Sequence, residues 1–157
     1  MEIKLLPIER LDELNEIYDM HRYENFQETR RHNLESCKEI CVVAEEEGKF
    51  VGELSIMTEN ANIPAAVIPN KRVYLFGLRV LPDYQRRGIG TALIRYAVSF
   101  CMRRGVFEFT IGVETKNDVA RRLYEGLGFV NFLENCSEVQ FGEMCRFNLL
   151  MLNTTPF

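Results

Sequence analysis

Apolar residues near the N-terminus fall at Ile8, Leu11, Leu14, Ile17 and Tyr18, a spacing that predicts an amphipathic helix over residues 8–20. Ile3 to Leu6 reads as a short strand stopped by Pro7. A less strongly marked helix is expected from Gln27 to Ser36. The pattern then shortens. Ile40–Ala44 is a run rich in β-branched residues and Phe50–Met57 is a second strand, with Gly48 between them suited to a turn that needs positive φ. Residues 59–70, with their prolines, alanines and asparagines, read as a mobile connection. A strongly apolar strand follows at Val73–Val80.

Ile89, Leu93, Tyr96, Ala97 and Phe100 line one face of a helix over Ile89–Arg104, which Gly105 stops. Phe107, Phe109, Ile111 and Val113 alternate as a strand over 106–113. Asn117-Asp118 opens another helix with Ala120, Leu123, Tyr124 and Leu127 inward and Gly128 as its stop. Strands at about Phe129–Leu133 and Glu143–Leu152 complete the chain. Strand, helix, strand, helix in the centre implies a parallel crossover; the hairpins on either side make the whole a mixed α/β sheet.

The 157 residues suit a single domain, 1–157, with no repeat or linker dividing them. A net charge of −4 lacks the basic footprint of a nucleic-acid-binding module and is compatible with an amine partner. The five cysteines and two histidines show neither a CxxC pair nor a zinc-ligand spacing, so no metal is expected and the thiols read as reduced and mostly buried. Met1–Leu5 does not resemble a signal peptide, and no apolar run reaches the roughly 20 residues that span a bilayer. These features predict a cytoplasmic protein that does not enter a membrane.

The chemistry concentrates after the Val73–Val80 strand. Leu81-Pro82-Asp83-Tyr84 turns the chain, and Gln85-Arg86-Arg87-Gly88-Ile89-Gly90-Thr91 leads directly into the next helix. Glycines let the backbone approach a ligand, first-turn amides lack helical partners, and the helix dipole is positive at that end. With Arg86 and Arg87 beside it, such a turn invites a pyrophosphate. Neither the third glycine of a dinucleotide fingerprint nor the Gly-Lys-Ser/Thr of a nucleotide-binding loop is present.

The Gln85–Gly90 turn resembles the Q/R-x-x-G-x-G/A signature of the GNAT acetyltransferases, and Leu78–Pro82 looks like that family's L-x-V-x-P strand end. Asn117–Phe129 is similar to its N-x-x-A-x-x-L-Y-E-x-x-G-F block, in the right order and at a typical separation. The resemblance implies a GNAT-like, mostly antiparallel sheet whose central parallel pair is splayed by a bulge, flanked by about four helices. It also implies acetyl-CoA as co-substrate and a primary amine as acceptor. Leu78, Arg79 and Val80 would pair with the pantetheine arm, and the turn from Gln85 through Arg86, Arg87, Gly88, Ile89, Gly90 and Thr91 would hold the pyrophosphate. Asn117 would contact the cofactor, and Tyr124 would stand by the sulfur as proton donor.

Some members of the family carry a glutamate on the central strand about where Tyr74 stands here. Glu53 on the preceding strand is the candidate replacement as base, against the alternative of a solvent-facing residue alternating with Leu54; His21 and Glu24 are further candidates. Without the central carboxylate, a non-catalytic acyl-CoA-sensing module is the alternative function. No motif names the acceptor, although Phe26 suggests some apolar contact. The run Phe147, Leu149, Leu150, Met151 fits a homodimer contact and a buried strand equally well.

Overall fold

The computed structural model describes residues 1–17, 26–59, 62–140 and 142–156. His21 and Glu24 lie outside the described residues, as does the side chain of Phe26. Seven strands are described: β1 (Glu2–Leu5), β2 (Glu39–Glu46), β3 (Lys49–Met57), β4 (Arg72–Val80), β5 (Glu108–Glu114), β6 (Val130–Gln140) and β7 (Glu143–Asn153). They form one sheet in the order β1-β2-β3-β4-β5-β7-β6, in which β4–β5 is the parallel pair. The α-helices are α1 (Phe26–Glu35), α2 (Ile89–Met102) and α3 (Asp118–Gly126).

The first predicted helix is instead a 3-10 helix over Ile8–Glu16 in its described part. Its apolar positions explain the difference: Ile8, Leu11, Leu14 and Ile17 are spaced by three residues, the repeat of a 3-10 helix, so one stripe faces the sheet without drift. Leu11 and Leu14 are fully buried against Cys41, Val43 and Phe50. The β2–β3 hairpin turns on Glu47 (φ 51°) and Gly48 (φ 79°), two left-handed residues whose twist matches that of the strands. Part of the expected mobile connection is packed structure. Pro64–Ala66 is a 3-10 turn with Ala66 buried, and the Thr110 hydroxyl donates 2.8 Å to the Ala66 carbonyl.

The main core lies between the sheet and α2–α3. Val42, Leu54, Leu75, Ile111 and Phe109 meet Ile89, Leu93, Ala97 and Phe129 there. Gly52 permits close contact: a Cβ at that position would stand 3.2 Å from both Ile89 and Leu93 side chains. The opposite face carries the 3-10 helix, α1 and the Pro64–Ala66 turn. The thiols are less buried than the sequence suggests. None is joined in a disulfide, but only Cys41 and Cys101 are buried, Cys136 and Cys145 are half-buried and Cys37 is exposed.

Candidate active site

The parallel ladder runs from Arg72↔Glu108 to Leu75↔Ile111 and stops, although both strands continue. The cause lies on the other edge of β4. Glu53 pairs with Arg79 and Ser55 with Phe76, so the single residue Leu54 stands opposite two, Gly77 and Leu78. That is a bulge in β4, with Gly77 at φ 67° in the left-handed region that glycine adopts without strain. Beyond it Leu78, Arg79 and Val80 keep their antiparallel contact with β3 through Arg79 and Val80, while the β4–β5 ladder has already ended at Leu75↔Ile111. An isolated glycine inside an apolar strand was the available sequence signal for this bulge.

A cleft of about 500 Å³ opens at the splay. Glu53, Leu78, Arg79 and Tyr124 all line it. Tyr124 projects from α3, 7% exposed, with its ring 6.2 Å from that of Phe129. Burial pushes its phenol up to about 12, so it holds its proton at neutral pH. Tyr74 stands in the same cleft, stacked on Phe76 at 5.7 Å, with its hydroxyl 3.0 Å from where a Cβ on Gly112 would be. Burial raises the Tyr74 phenol as well.

Glu53 is not solvent-facing: it is 1% exposed. Arg79 Nη1 donates to its Oε1 at 3.3 Å, and Arg30 Nη1 lies 3.6 Å from its Oε2. Oε2 nevertheless accepts no hydrogen bond. Burial pushes this carboxyl above the ordinary range, while Arg30 and Arg79 pull it back. The sequence did not single out its surroundings. Arg30 Nε donates to Glu39 Oε2 at 3.2 Å, and Ser55 Oγ donates to the same oxygen at 2.9 Å. Ser55 and Glu53 share a strand face by period two, which was legible; the arrival of Arg30 from α1 was not. Cys41, beside this cluster, is pushed up to about 12 by burial, which leaves no thiolate nucleophile there.

The Gln85–Thr91 turn and Asn117 lie outside the cleft lining. Arg86 (φ 64°) and Gly88 (φ 80°) are left-handed on either side of Arg87, an alternation that curls successive N–H groups into a concavity. The first helical bond of α2 runs from Ala92 N to Gly88 O, 3.0 Å, leaving the Ile89, Gly90 and Thr91 amides without partners in the helix. A Cβ on Gly88 would meet nothing within 4 Å, so the space beside that residue is open. Arg86 and Arg87 are exposed beside it, with Arg87 5.1 Å from the Tyr84 ring. Two side chains serve the fold: Gln85 Nε2 donates to Val80 O at 3.0 Å, and Asn117 Oδ1 caps α3 through Ala120 N at 3.0 Å. Among the described residues there is no metal-binding cluster of three or more His, Cys, Asp or Glu, and no helix is long and apolar enough to cross a membrane.

These features fit an acyl-CoA: a turn of amides without helical partners leads away from a strand edge splayed out of its ladder, and that edge leads to a cleft with a protonated tyrosine. Comparison with known proteins agrees. Residues 8–129 match the acetyltransferase (GNAT) family model. The [Ribosomal protein bS18]-alanine N-acetyltransferase of Escherichia coli K12 is 37% identical over 76 residues, which are 46% of this chain and 51% of that protein. The chain therefore spans about half the length of the curated relatives that it matches in this way. The uncharacterized N-acetyltransferase YhfO of Bacillus subtilis is 29% identical over 125 residues, covering 77% of this chain and 78% of that protein. In fold, the E. coli ribosomal-protein-S18-alanine N-acetyltransferase superposes with a TM-score of 0.75 at 23% identity, covering 99% of this chain and 95% of that one. A putative acetyltransferase from Salmonella typhimurium, solved with acetyl-CoA, gives 0.75 at 19% identity over 100% and 95%. The chain belongs to the GNAT acetyltransferase family.

Proposed function

We propose that the protein is an acetyl-CoA-dependent N-acetyltransferase that acetylates a primary amine by direct attack, without a covalent acyl-enzyme. The observation that carries this reading is the β4 segment Leu78–Val80, splayed out of the β4–β5 ladder between the Arg86–Thr91 amide turn and the cleft that holds Tyr124. Acetyl-CoA supplies an activated acyl thioester. The exposed amides of Ile89, Gly90 and Thr91, with Arg86 and Arg87, hold the diphosphate. Backbone groups of Leu78, Arg79 and Val80 hold the pantetheine as an added strand.

The Glu53 carboxylate takes the proton of the incoming ammonium, directly or through water, and Tyr124 Oη holds a proton for the departing sulfur. Orientation in the cleft supplies much of the remaining acceleration. Asn117 contacts the cofactor through what its capping bond leaves free, and Gln85 supports the turn from below. Cysteines outside any disulfide suit a reducing cytoplasm.

Calorimetric titration with acetyl-CoA, CoA and ATP tests the reading. Binding of both CoA forms with ATP excluded is expected, followed by amine-dependent thiol release. Failure to bind either CoA form overturns it. The alternative, an acyl-CoA sensor without turnover, is favoured by Tyr74 standing where a central-strand carboxylate is absent. Binding without thiol release across an amine panel would select it.

A further inference from the structure

Resting on the acyltransferase reading, we infer that the Tyr74 hydroxyl donates a hydrogen bond to the thioester carbonyl oxygen of bound acetyl-CoA, the atom that gains charge as the amine attacks. The register aims this side chain at the splay. Tyr74 pairs with Thr110, one rung before the ladder ends at Leu75↔Ile111. Its hydroxyl nevertheless lies 3.0 Å from where a Cβ on Gly112 would stand, two residues farther along β5. Successive residues on one face of a strand are about 6.6 Å apart, so the ring leans along the sheet to the point where β4 and β5 part. Gly112 makes room for it, and the Phe147 ring closes the same space at 3.2 Å from that Cβ position.

Two phenols meet the cleft from different elements, Tyr74 on β4 and Tyr124 on α3. Neither hydroxyl has a hydrogen-bond partner among the described residues, and neither belongs to the fully covered oxygens without a partner there, which are on Gln27 and Glu53. Both therefore keep surface that a ligand in the cleft can reach. Burial, and after it the Glu138 carboxylate, raises the Tyr74 phenol, so it holds its proton and can donate where negative charge grows. The other side-chain donors of the lining are engaged or come from elements other than the splayed strands. Arg79 donates to Glu53 and Gly77, and Arg30 and Ser55 donate to Glu39. Thr29 and Asn33 belong to α1, and Asn62 to the segment before Pro64. A pantetheine arm held along Leu78–Val80 brings its thioester to the splay. The amine nitrogen bonds to the carbonyl carbon, and the C=O π pair moves onto the oxygen that Tyr74 holds. That pair then returns, the C–S bond breaks, and the thiolate takes the Tyr124 proton. Tyr74 keeps its own.

The experiment is infrared difference spectroscopy of acetyl-CoA, carrying carbon-13 at the thioester carbonyl, bound to the native protein, Tyr74→Phe and Tyr124→Phe. The carbonyl band should lie at lower wavenumber on the native protein than on Tyr74→Phe, and Tyr124→Phe should leave it at the native position. Calorimetry reads the same contact as a ratio: Tyr74→Phe should weaken acetyl-CoA about three- to ten-fold, the loss of one neutral hydrogen bond, and leave CoA within about two-fold. The variant keeps the ring and its 5.7 Å stack on Phe76, so its melting temperature should match native. Gly112→Ala keeps the phenol but places a methyl against it, and should raise the band as well. An equal band position on native and Tyr74→Phe assigns the carbonyl to main-chain amides and overturns the inference; so does a band moved by Tyr124→Phe instead. Either result leaves the acyltransferase reading intact, because acetyl-CoA is bound. Failure of the native protein to bind either CoA form overturns both.

Discussion

Gly88→Val separates the cost of a strained backbone from the loss of an anion site. At φ 80° and ψ 11° the residue is left-handed, and an added side chain meets no atom within 4 Å. The folded protein therefore loses only the left-handed penalty, roughly 1–2 kcal/mol. For a chain of this length that lowers the melting temperature by roughly 2–8 °C, at 2–4 °C per kcal/mol. Binding suffers more. The new carbon atoms enter open space beside the turn, and relaxation of φ uncurls the concavity. Losing two hydrogen bonds to a charged group costs roughly 3–6 kcal/mol, or about 150- to 20,000-fold in affinity. Gly105→Val is the matched control: Gly105 has φ 82°, also meets nothing within 4 Å, and sits just beyond the other end of α2. Differential scanning fluorimetry should give similar destabilisation for both variants, and calorimetry with CoA should give near-native affinity for Gly105→Val alone. Equal CoA affinity in the two variants would refute the anion-turn argument.

Tyr124→Phe should lower kcat about 100-fold or more while leaving acetyl-CoA affinity within two-fold; an unchanged kcat where chemistry limits the rate would remove Tyr124 from the proton-donor role. The same variant has a pH signature. The native phenol, at about 12, binds its proton more tightly than the unfolded one near 10, so its contribution to stability is full below pH 10 and is lost as pH rises toward 12. Thermal melts from pH 9 to 11 should fall less steeply in Tyr124→Phe than in the native protein. Arg30→Ala leaves the buried carboxylates of Glu39 and Glu53 without their shared cation and should cost about 3–5 kcal/mol in urea unfolding; a loss below about 1 kcal/mol would contradict the buried network. Gly52→Val forces a side chain against Ile89, Leu93 and the Arg79 carbonyl, all within 3.3 Å of the new Cβ, and should cost about 1–3 kcal/mol. A melting temperature equal to native would show that α2 does not pack on β3 as described.

Most of the fold was legible because its cues are local. The β2–β3 hairpin, β4, α2, β5 and α3 each carry their own period and their own stop. The first helix was misassigned in pitch although its residues were the right ones, since a strict three-residue spacing and a 3.6-residue stripe coincide over so few turns. β6 continues to Gln140, well past the expected Leu133, through Glu134, Asn135, Ser137 and Glu138. An edge strand exposed on this scale has no apolar alternation to announce it, and what holds it is the β7 ladder. The Pro64–Ala66 turn was hidden for a related reason: its anchor, Thr110, lies 44 residues away.

The two halves of the candidate site differ in the same way, and the bulge in β4 connects them. An anion turn works through main-chain amides, so a few consecutive residues encode it and a short window reveals it. The carboxylate pocket needs Arg30, Glu39, Glu53 and Arg79 from four elements, each of which looks like an ordinary surface charge when read alone. Gly77 joins the two. Its left-handed φ inserts the extra residue that ends the β4–β5 ladder, and its carbonyl accepts from Arg79 Nη1 at 3.3 Å, the nitrogen that also holds Glu53 Oε1. A Cβ at Gly77 would press on that nitrogen at 3.1 Å. The backbone device that takes Leu78–Val80 out of the β4–β5 ladder thus also fixes the guanidinium that holds Glu53 Oε1, so the bulge cannot be straightened without disturbing both the strand edge and the buried carboxylate.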